Sequence, residues 1–245
     1  MEELRVYIHE LVDIVGHRRG DYMRHAALTW APIGRRERDQ TCMGVWAVVG
    51  STSRWPRVVN LWELASWEAL GRNFDVELRG EGLQDPELAA WWAEASTMRS
   101  GGFDRILEAP TWSPSAAELH SRATDRPRAG YLHEIVTVVA GSDAELLERV
   151  RGDGIAAYSE AGFTLIGAYR RALANDDECV LIWAFPSWSV WADAMRVDGT
   201  AVASGDGPAA AIARWRRDQR DVVTGRRAFL LADAPDSPMR TGRTV

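Results

Sequence analysis

The chain of 245 residues has a formal net charge of −6, with 46% hydrophobic and 26% charged residues, a globular composition without the basic footprint of a nucleic-acid binder. Every cationic side chain is arginine; the sequence contains no lysine, which excludes a lysine Schiff base, pyridoxal-phosphate attachment and a Walker-A phosphate loop. No run reaches the ~18–20 apolar residues of a membrane span, and the charged N-terminus lacks a signal-peptide core, so a cytoplasmic protein without membrane or nucleic-acid partners is expected.

In chain order, β-branched and aromatic residues predict a first strand over 4–15 and a helix over 18–33. Strands at 42–49 and 57–64 flank the turn Gly50-Ser51-Thr52-Ser53. Asp85-Pro86-Glu87 opens a second helix, with a capping aspartate and proline at the first position, and a strand at 103–109 exits through Ala109-Pro110. After the Ser-, Pro- and Arg-rich stretch 111–129 the order restarts. Tyr131 begins a strand, and Ser142 with Glu145 reads as a capping box opening a helix over 142–160. Strands follow at 163–171 and 178–185 around Asn175-Asp176-Asp177. Asp206-Gly207-Pro208 opens a helix, and a strand at 226–232 exits through Ala234-Pro235. Arg35, Arg36 and Arg38, offset by Glu37 and Asp39, read as a solvated helix end. Cys42 and Cys179, each in an apolar run with no CxxC pattern, read as buried free thiols.

The two halves repeat one another. Tyr7-Ile8-His9-Glu10 recurs as Tyr131-Leu132-His133-Glu134, Gly44-Val45-Trp46 as Gly167-Ala168-Tyr169, and Leu61-Trp62 with Ser66-Trp67 as Ile182-Trp183 with Ser187-Trp188. Markers in the same order at offsets of 121 to 124 imply two copies of one domain, 1–110 and 130–238, with a linker at 111–129 and a tail at 239–245. The period is too long for a solenoid. A βαββαβ order gives an antiparallel four-stranded sheet with helices on one face. The expected fold is α+β: two tandem ferredoxin-like βαββαβ domains packed sheet to sheet around a cavity. On this reading Trp62, Trp183, Trp67 and Trp188 are duplicated core.

With Tyr7-Ile8-His9-Glu10 and its repeat, Gly44-Val45-Trp46, Asn60-Leu61-Trp62-Glu63, Ser66-Trp67 and the Pro110 and Pro235 exits, the chain resembles a tandem NIPSNAP-type member of the dimeric α/β-barrel group. The resemblance implies an intramolecular barrel, and hence a monomer or homodimer. It also implies kinship with cofactor-free monooxygenases, isomerases, cyclases and haem-binding proteins.

Strand alternation places Tyr7 and His9 on one face and Glu10 on the other, with Glu10 and Glu134 toward the helix layer or solvent. Asn60 is the single polar residue in its apolar run, and Leu181 takes its place in the second copy. His9, Tyr7 and Asn60 are the expected catalytic residues, a histidine to move a proton beside groups able to hold an enolate oxygen. Trp46, Trp62, His133, Tyr131, Tyr169, Trp183, Tyr22 and His25 are the expected ligand-binding residues, their aromatic surfaces suited to an apolar ligand. Tyr22, His25 and Thr29 share one helical face. No metal-ligand spacing is present, and no cofactor is expected. Gly205-Asp206-Gly207-Pro208-Ala209-Ala210 only superficially resembles a dinucleotide loop, lacking the preceding strand. The expected function is a cofactor-independent isomerase, cyclase or monooxygenase of secondary metabolism acting on an aromatic or polycyclic small molecule. The alternative is a non-catalytic small-molecule or haem-binding protein, with His25 as a haem ligand.

Overall fold

A computed structural model describes residues 4–80, 82–123, 128–196 and 207–243. The structure is mixed α+β with antiparallel strands, and the chain divides into two units. The first comprises 1–111, 115–125 and 231–245; the second comprises 112–114 and 126–230.

In the first unit, β1 (Arg5–Ile14) leads into α1 (Arg19–His25), which continues through a π-helical turn (Ala26–Trp30) into α2 (Ala31–Arg38). β2 (Thr41–Val48), β3 (Arg57–Leu64), α3 (Trp67–Glu77), α4 (Pro86–Ala95), β4 (Arg99–Ala109) and α5 (Ala116–Ser121) follow. The strand order is β4-β1-β3-β2, with Leu231–Asp233 paired to β2. One sheet face carries Val12, Val45, Val58, Cys42 and Trp62 into a core shared with Tyr22, Trp30, Leu88 and Trp91 of the helices.

In the second unit, β5 (Gly130–Val138) leads into α6 (Asp143–Arg149), a π-helical turn (Val150–Gly154) and α7 (Ile155–Glu160). β6 (Thr164–Arg171), β7 (Glu178–Phe185), α8 (Trp188–Met195) and α9 (Pro208–Asp218) follow, then β8 (Val223–Asp233), whose residues through Leu230 belong to this unit. The order is β8-β5-β7-β6.

Both units carry a bulge beside a glycine: the β2–β3 register shifts between Cys42 and Gly44, and the β6–β7 register between Leu165 and Gly167. Two residues on, and so on the same face, Trp46 lies over Gly44 and Tyr169 over Gly167, so that a Cβ on either glycine would run into the ring. The Gly-x-aromatic pattern is therefore a packing device.

Several local expectations are corrected. Ser142 makes no capping hydrogen bond; the Glu145 carboxylate accepts from Arg149 instead. A full capping box stands at Ser115 and Glu118, opening α5 inside the stretch expected as a linker. The expected tail includes a short helix, Pro238–Thr241, and the Ser237 hydroxyl before it accepts from the Val45 amide. Trp67 and Trp188 are not core: they are 39% and 43% exposed, each one residue after a serine N-cap, Ser66 or Ser187. Arg38 is no solvated helix end: buried, it meets Glu77 and Asp85 and lies over the Trp30 ring. Asp85 caps α4 as expected, accepting from the Leu88 amide. Gly205 and Asp206 of the glycine-rich motif lie outside the described residues.

Candidate active site

Register sorts the expected site residues onto different faces. In the first unit Tyr7 pairs with Glu63 and His9 with Leu61, whereas Glu10 pairs with Asn60 and Ile8 with Trp62. Cross-strand partners share a face. The grouping of Tyr7, His9, Asn60 and Trp62 around one cavity is therefore split: Asn60 and Trp62 stand with Glu10 on the helix-facing side, and Tyr7 and His9 on the other. Trp46, opposite Val59, is on the face of Tyr7 and His9. The Tyr7 hydroxyl accepts from Arg5 and donates to Glu63 Oε2 over 2.6 Å. Glu63 in turn accepts from the Ala116 amide at the start of α5.

Glu10 is the centre of the helix-facing group. Its Oε2 accepts the Asn60 amide and the Trp62 indole N–H, each over 2.8 Å. Asn60 gives its other amide hydrogen to the Tyr22 hydroxyl over 3.2 Å. Both bonds to Glu10 fall on one oxygen; among the described residues Oε1 receives none. Asn60 Oδ1 is buried without a described partner. A buried acceptor left unpaired costs about 1–3 kcal/mol, and Leu181 in the second unit avoids it, so Asn60 is a costly choice of core residue.

Burial, then the nearby Asp104 carboxylate, pushes the Glu10 carboxyl above its ordinary range, against the Trp62 and Asn60 hydrogen bonds and Arg99. Burial also raises Asp104, opposed by Arg99. Burial and the adjacent Glu10 raise the Tyr22 hydroxyl and Cys42 thiol well above their ordinary values. The result is a carboxyl with a raised affinity for protons, held by neutral donors. On the same face, Ile8 opposite Ile106 forms the next cross-strand pair; both are partly exposed, as is Trp92 of α4. Apolar surface therefore flanks the carboxyl.

The second unit resolves the matching position differently. Glu134 also accepts an indole N–H, from Trp183 over 3.0 Å, and the Tyr158 hydroxyl over 2.9 Å. Arg216 and Arg226 add ion pairs at 2.9 and 2.8 Å. Burial alone would raise this carboxyl; Arg226 and Arg216 hold it below its ordinary range instead. Trp183 stacks on Tyr158 at 4.0 Å. Tyr131 and His133 pair with Ala184 and Ile182, and Tyr169 with Val180, which puts all three on the face away from Trp183. His133 stacks on Phe229 at 4.4 Å.

His25 does not fit an axial haem ligand. Nε2 lies 3.2 Å from the Trp91 carbonyl oxygen, Nδ1 lies 3.7 Å from Glu94, and the ring stacks on Trp91 at 5.1 Å. Thr29, expected on the Tyr22 and His25 face, is exposed, because the π-helical turn breaks the 3.6-residue spacing. Among the described residues no cluster of three or more His, Cys, Asp or Glu side chains could hold a metal. A shallow groove of about 270 Å³ between α7 and α9 contains none of the expected site residues.

Glu10, Asp104 and Arg99 were not among the expected site residues. Their signal is the row Asp104-Glu10-Asn60-Val45 across four strands, three polar residues in line. It is visible only once the register is known.

No family model and no curated protein matches the chain. Solved structures do. A provisionally assigned monooxygenase from Fusobacterium nucleatum superposes with a TM-score of 0.60 at 9% identity, covering 96% of this chain and 94% of its own. A second, from Lactobacillus acidophilus, gives 0.60 at 10% identity, covering 99% and 100%. An anthrone oxidase-like protein gives 0.58 at 13% identity, covering 96% and 95%. At such identities the likeness is one of fold alone. A NIPSNAP-like domain protein from Burkholderia xenovorans aligns over 45% of this chain with a TM-score of 0.37, too little to assign the chain to that family.

Proposed function

We propose that the chain is a tandem duplication of a ferredoxin-like βαββαβ unit whose first copy is a cofactor-independent oxidative enzyme for an aromatic or polycyclic small molecule, with Glu10 as its base. The paired π-helical turns, the bulges at Gly44 and Gly167, the serine caps before Trp67 and Trp188 and the indole-bonded Glu10 and Glu134 support the duplication. The observation that carries the function is Glu10 itself, a carboxyl of raised proton affinity with one oxygen fixed by Asn60 and Trp62 and apolar surface beside it. A base is most effective when its proton affinity lies near the working pH. This moves the catalytic role from His9 and Tyr7 to Glu10, keeps Asn60, Trp62 and Tyr22 as its immediate partners, and leaves Trp46, Tyr131, His133, Tyr169 and Trp183 as packing residues.

The fold neighbours include provisionally assigned monooxygenases and an anthrone oxidase-like protein, which suggests the chemistry. In a tricyclic phenolic ketone, the methylene between two aryl rings is acidic because its anion spreads into the rings. Glu10 removes that proton, and the electron-rich anion itself reduces dioxygen. The carbanion and dioxygen form a peroxide anion, which collapses to the carbonyl as its outer oxygen leaves with the second methylene hydrogen as hydroxide. Asn60 Oδ1 accepts a substrate hydroxyl.

The test is dioxygen uptake and quinone formation from anthrone-type substrates by the whole chain. Wild-type turnover is expected, with Glu10→Gln reduced by about 10²-fold or more and His9→Ala at wild-type level. Full turnover by Glu10→Gln overturns the assignment.

A further inference from the structure

Once Glu10 holds the substrate proton, the site needs a way to return it to water before the next cycle. Asn60 and Trp62 present only N–H groups to Glu10. Tyr22 and Cys42 are fully buried, with no exposed surface from which to release a proton. The remaining charged groups facing Glu10 among the described residues are Asp104 and Arg99, both on β4.

Asp104 stands directly opposite Glu10. The β1–β4 register runs unbroken from Arg5 opposite Ala109 to Asp13 opposite Gly101, and such partners hold their Cβ atoms about 4.5–5.5 Å apart on one face. Two carboxyl groups at that spacing reach each other directly or through one water. β4 also changes character at this point: Ser100 to Asp104 are exposed, and the strand is largely buried from Arg105 onward. Asp104 is thus the last exposed residue before the core, with Glu10 beside it on the inner strand. Arg99, its guanidinium 4.6 Å from the centre of the Trp92 ring, stands at the same open end of β4.

We propose that Asp104 is the proton exit of the Glu10 site. The inference rests on Glu10 being the base. The neutral Glu10 carboxyl formed by C–H deprotonation gives its proton to the Asp104 carboxylate, which restores the Glu10 carboxylate and leaves Asp104 neutral. Asp104 then releases the proton to solvent, where it and the departing hydroxide together make the one water formed per cycle. Both carboxyls carry a raised proton affinity, from burial in each case. Asp104 acts through Glu10 and does not touch substrate.

The test compares Asp104→Asn and Asp104→Glu with wild type in the full chain, using the anthrone-type substrate. Asp104→Asn is expected to abstract the first proton at the wild-type rate and then stall. Its kcat falls at least about tenfold while KM stays within about twofold, and added imidazole buffer restores turnover. Asp104→Glu retains turnover. Independently of activity, infrared titration of the Glu10 carboxyl is expected to shift to lower pH in Asp104→Asn, because a neighbouring negative charge is gone. Unchanged kcat and buffer dependence in Asp104→Asn, or an unchanged Glu10 titration, overturns the proposal. If Glu10→Gln is inactive while Asp104→Asn is normal, the exit fails and the base stands; if Glu10→Gln is fully active, the base itself fails.

Discussion

Glu10 and Glu134 each accept an indole N–H on the helix-facing side of their own sheet, from Trp62 and Trp183, yet their surroundings pull them in opposite directions. Glu10 sits among neutral donors and beside an aspartate. Glu134 sits between two arginines. The proton affinity of the first is raised and that of the second lowered.

The pH dependence of stability follows from Glu10. Its proton affinity is higher in the folded chain than the ordinary carboxylate value of 4.5, so the folded state binds the proton more tightly than the unfolded state. Its contribution is most favourable below about pH 4.5 and is lost as pH rises through the folded value. Glu10→Gln keeps an oxygen for Asn60 and Trp62 and carries no charge. Thermal melts should show the variant gaining on wild type as pH rises, with the larger Tm at pH 8. A difference independent of pH would show that Glu10 is not perturbed.

Glu134 gives the reverse sign. Its proton affinity is lowered on folding, so its contribution is present above about pH 4.5 and is lost as pH falls through the folded value. Glu134→Gln removes the counter-charge of both arginines. Breaking a buried pair costs about 3–5 kcal/mol; the low end applies here, since the Arg216 side chain keeps 32% exposure. Urea unfolding at pH 7 should show a loss of about 3 kcal/mol, shrinking on acidification.

Much of the architecture was legible from strand and helix patterns, because alternation and capping are local. The order of strands, the Asp85 cap and the buried cysteines followed from neighbours in sequence. The site was harder to read, because its row is assembled across strands. Alternation placed Glu10 and His9 on opposite faces of β1, but only pairing with β3 shows that Asn60 shares the face of Glu10 rather than that of His9. Asp104 lay in a polar stretch with no local signal. The Ser-Trp spacing suggested core because it recurs in both halves; its cause is the serine, which caps the helix and leaves the next side chain partly outside.

Those serines can be tested directly. Ser66 Oγ accepts from the Ala69 amide and Ser187 Oγ from the Val190 amide. Replacing either with alanine should cost about 1 kcal/mol, read from denaturant midpoints at constant m. Trp67→Phe and Trp62→Phe each strip an indole hydrogen bond from a carboxylate, Glu108 or Glu10; the partly exposed Trp67 should cost less than the buried Trp62.

Gly44 should not tolerate a side chain. An added Cβ runs into the Trp46 ring and comes within 2.9 Å of Met239 Cγ. Gly44→Ala should destabilise by about 1–3 kcal/mol and alter the near-ultraviolet circular dichroism of the buried tryptophan. Gly167→Ala should act likewise through Tyr169. Wild-type midpoints in both variants would show that the rings move aside freely.

The division of β8 between the units has a consequence for synthesis of the chain. Leu231–Asp233 complete the pairing of β2, and Ser237 binds the Val45 amide, so the half made first cannot be finished until the half made last has emerged. A nascent chain stopped anywhere before residue 231 would leave the outer edge of β2 unpaired, a sticky strand edge of the kind that draws chains together. Ribosome stalling at any point between β2 and residue 231 should therefore yield aggregation-prone fragments.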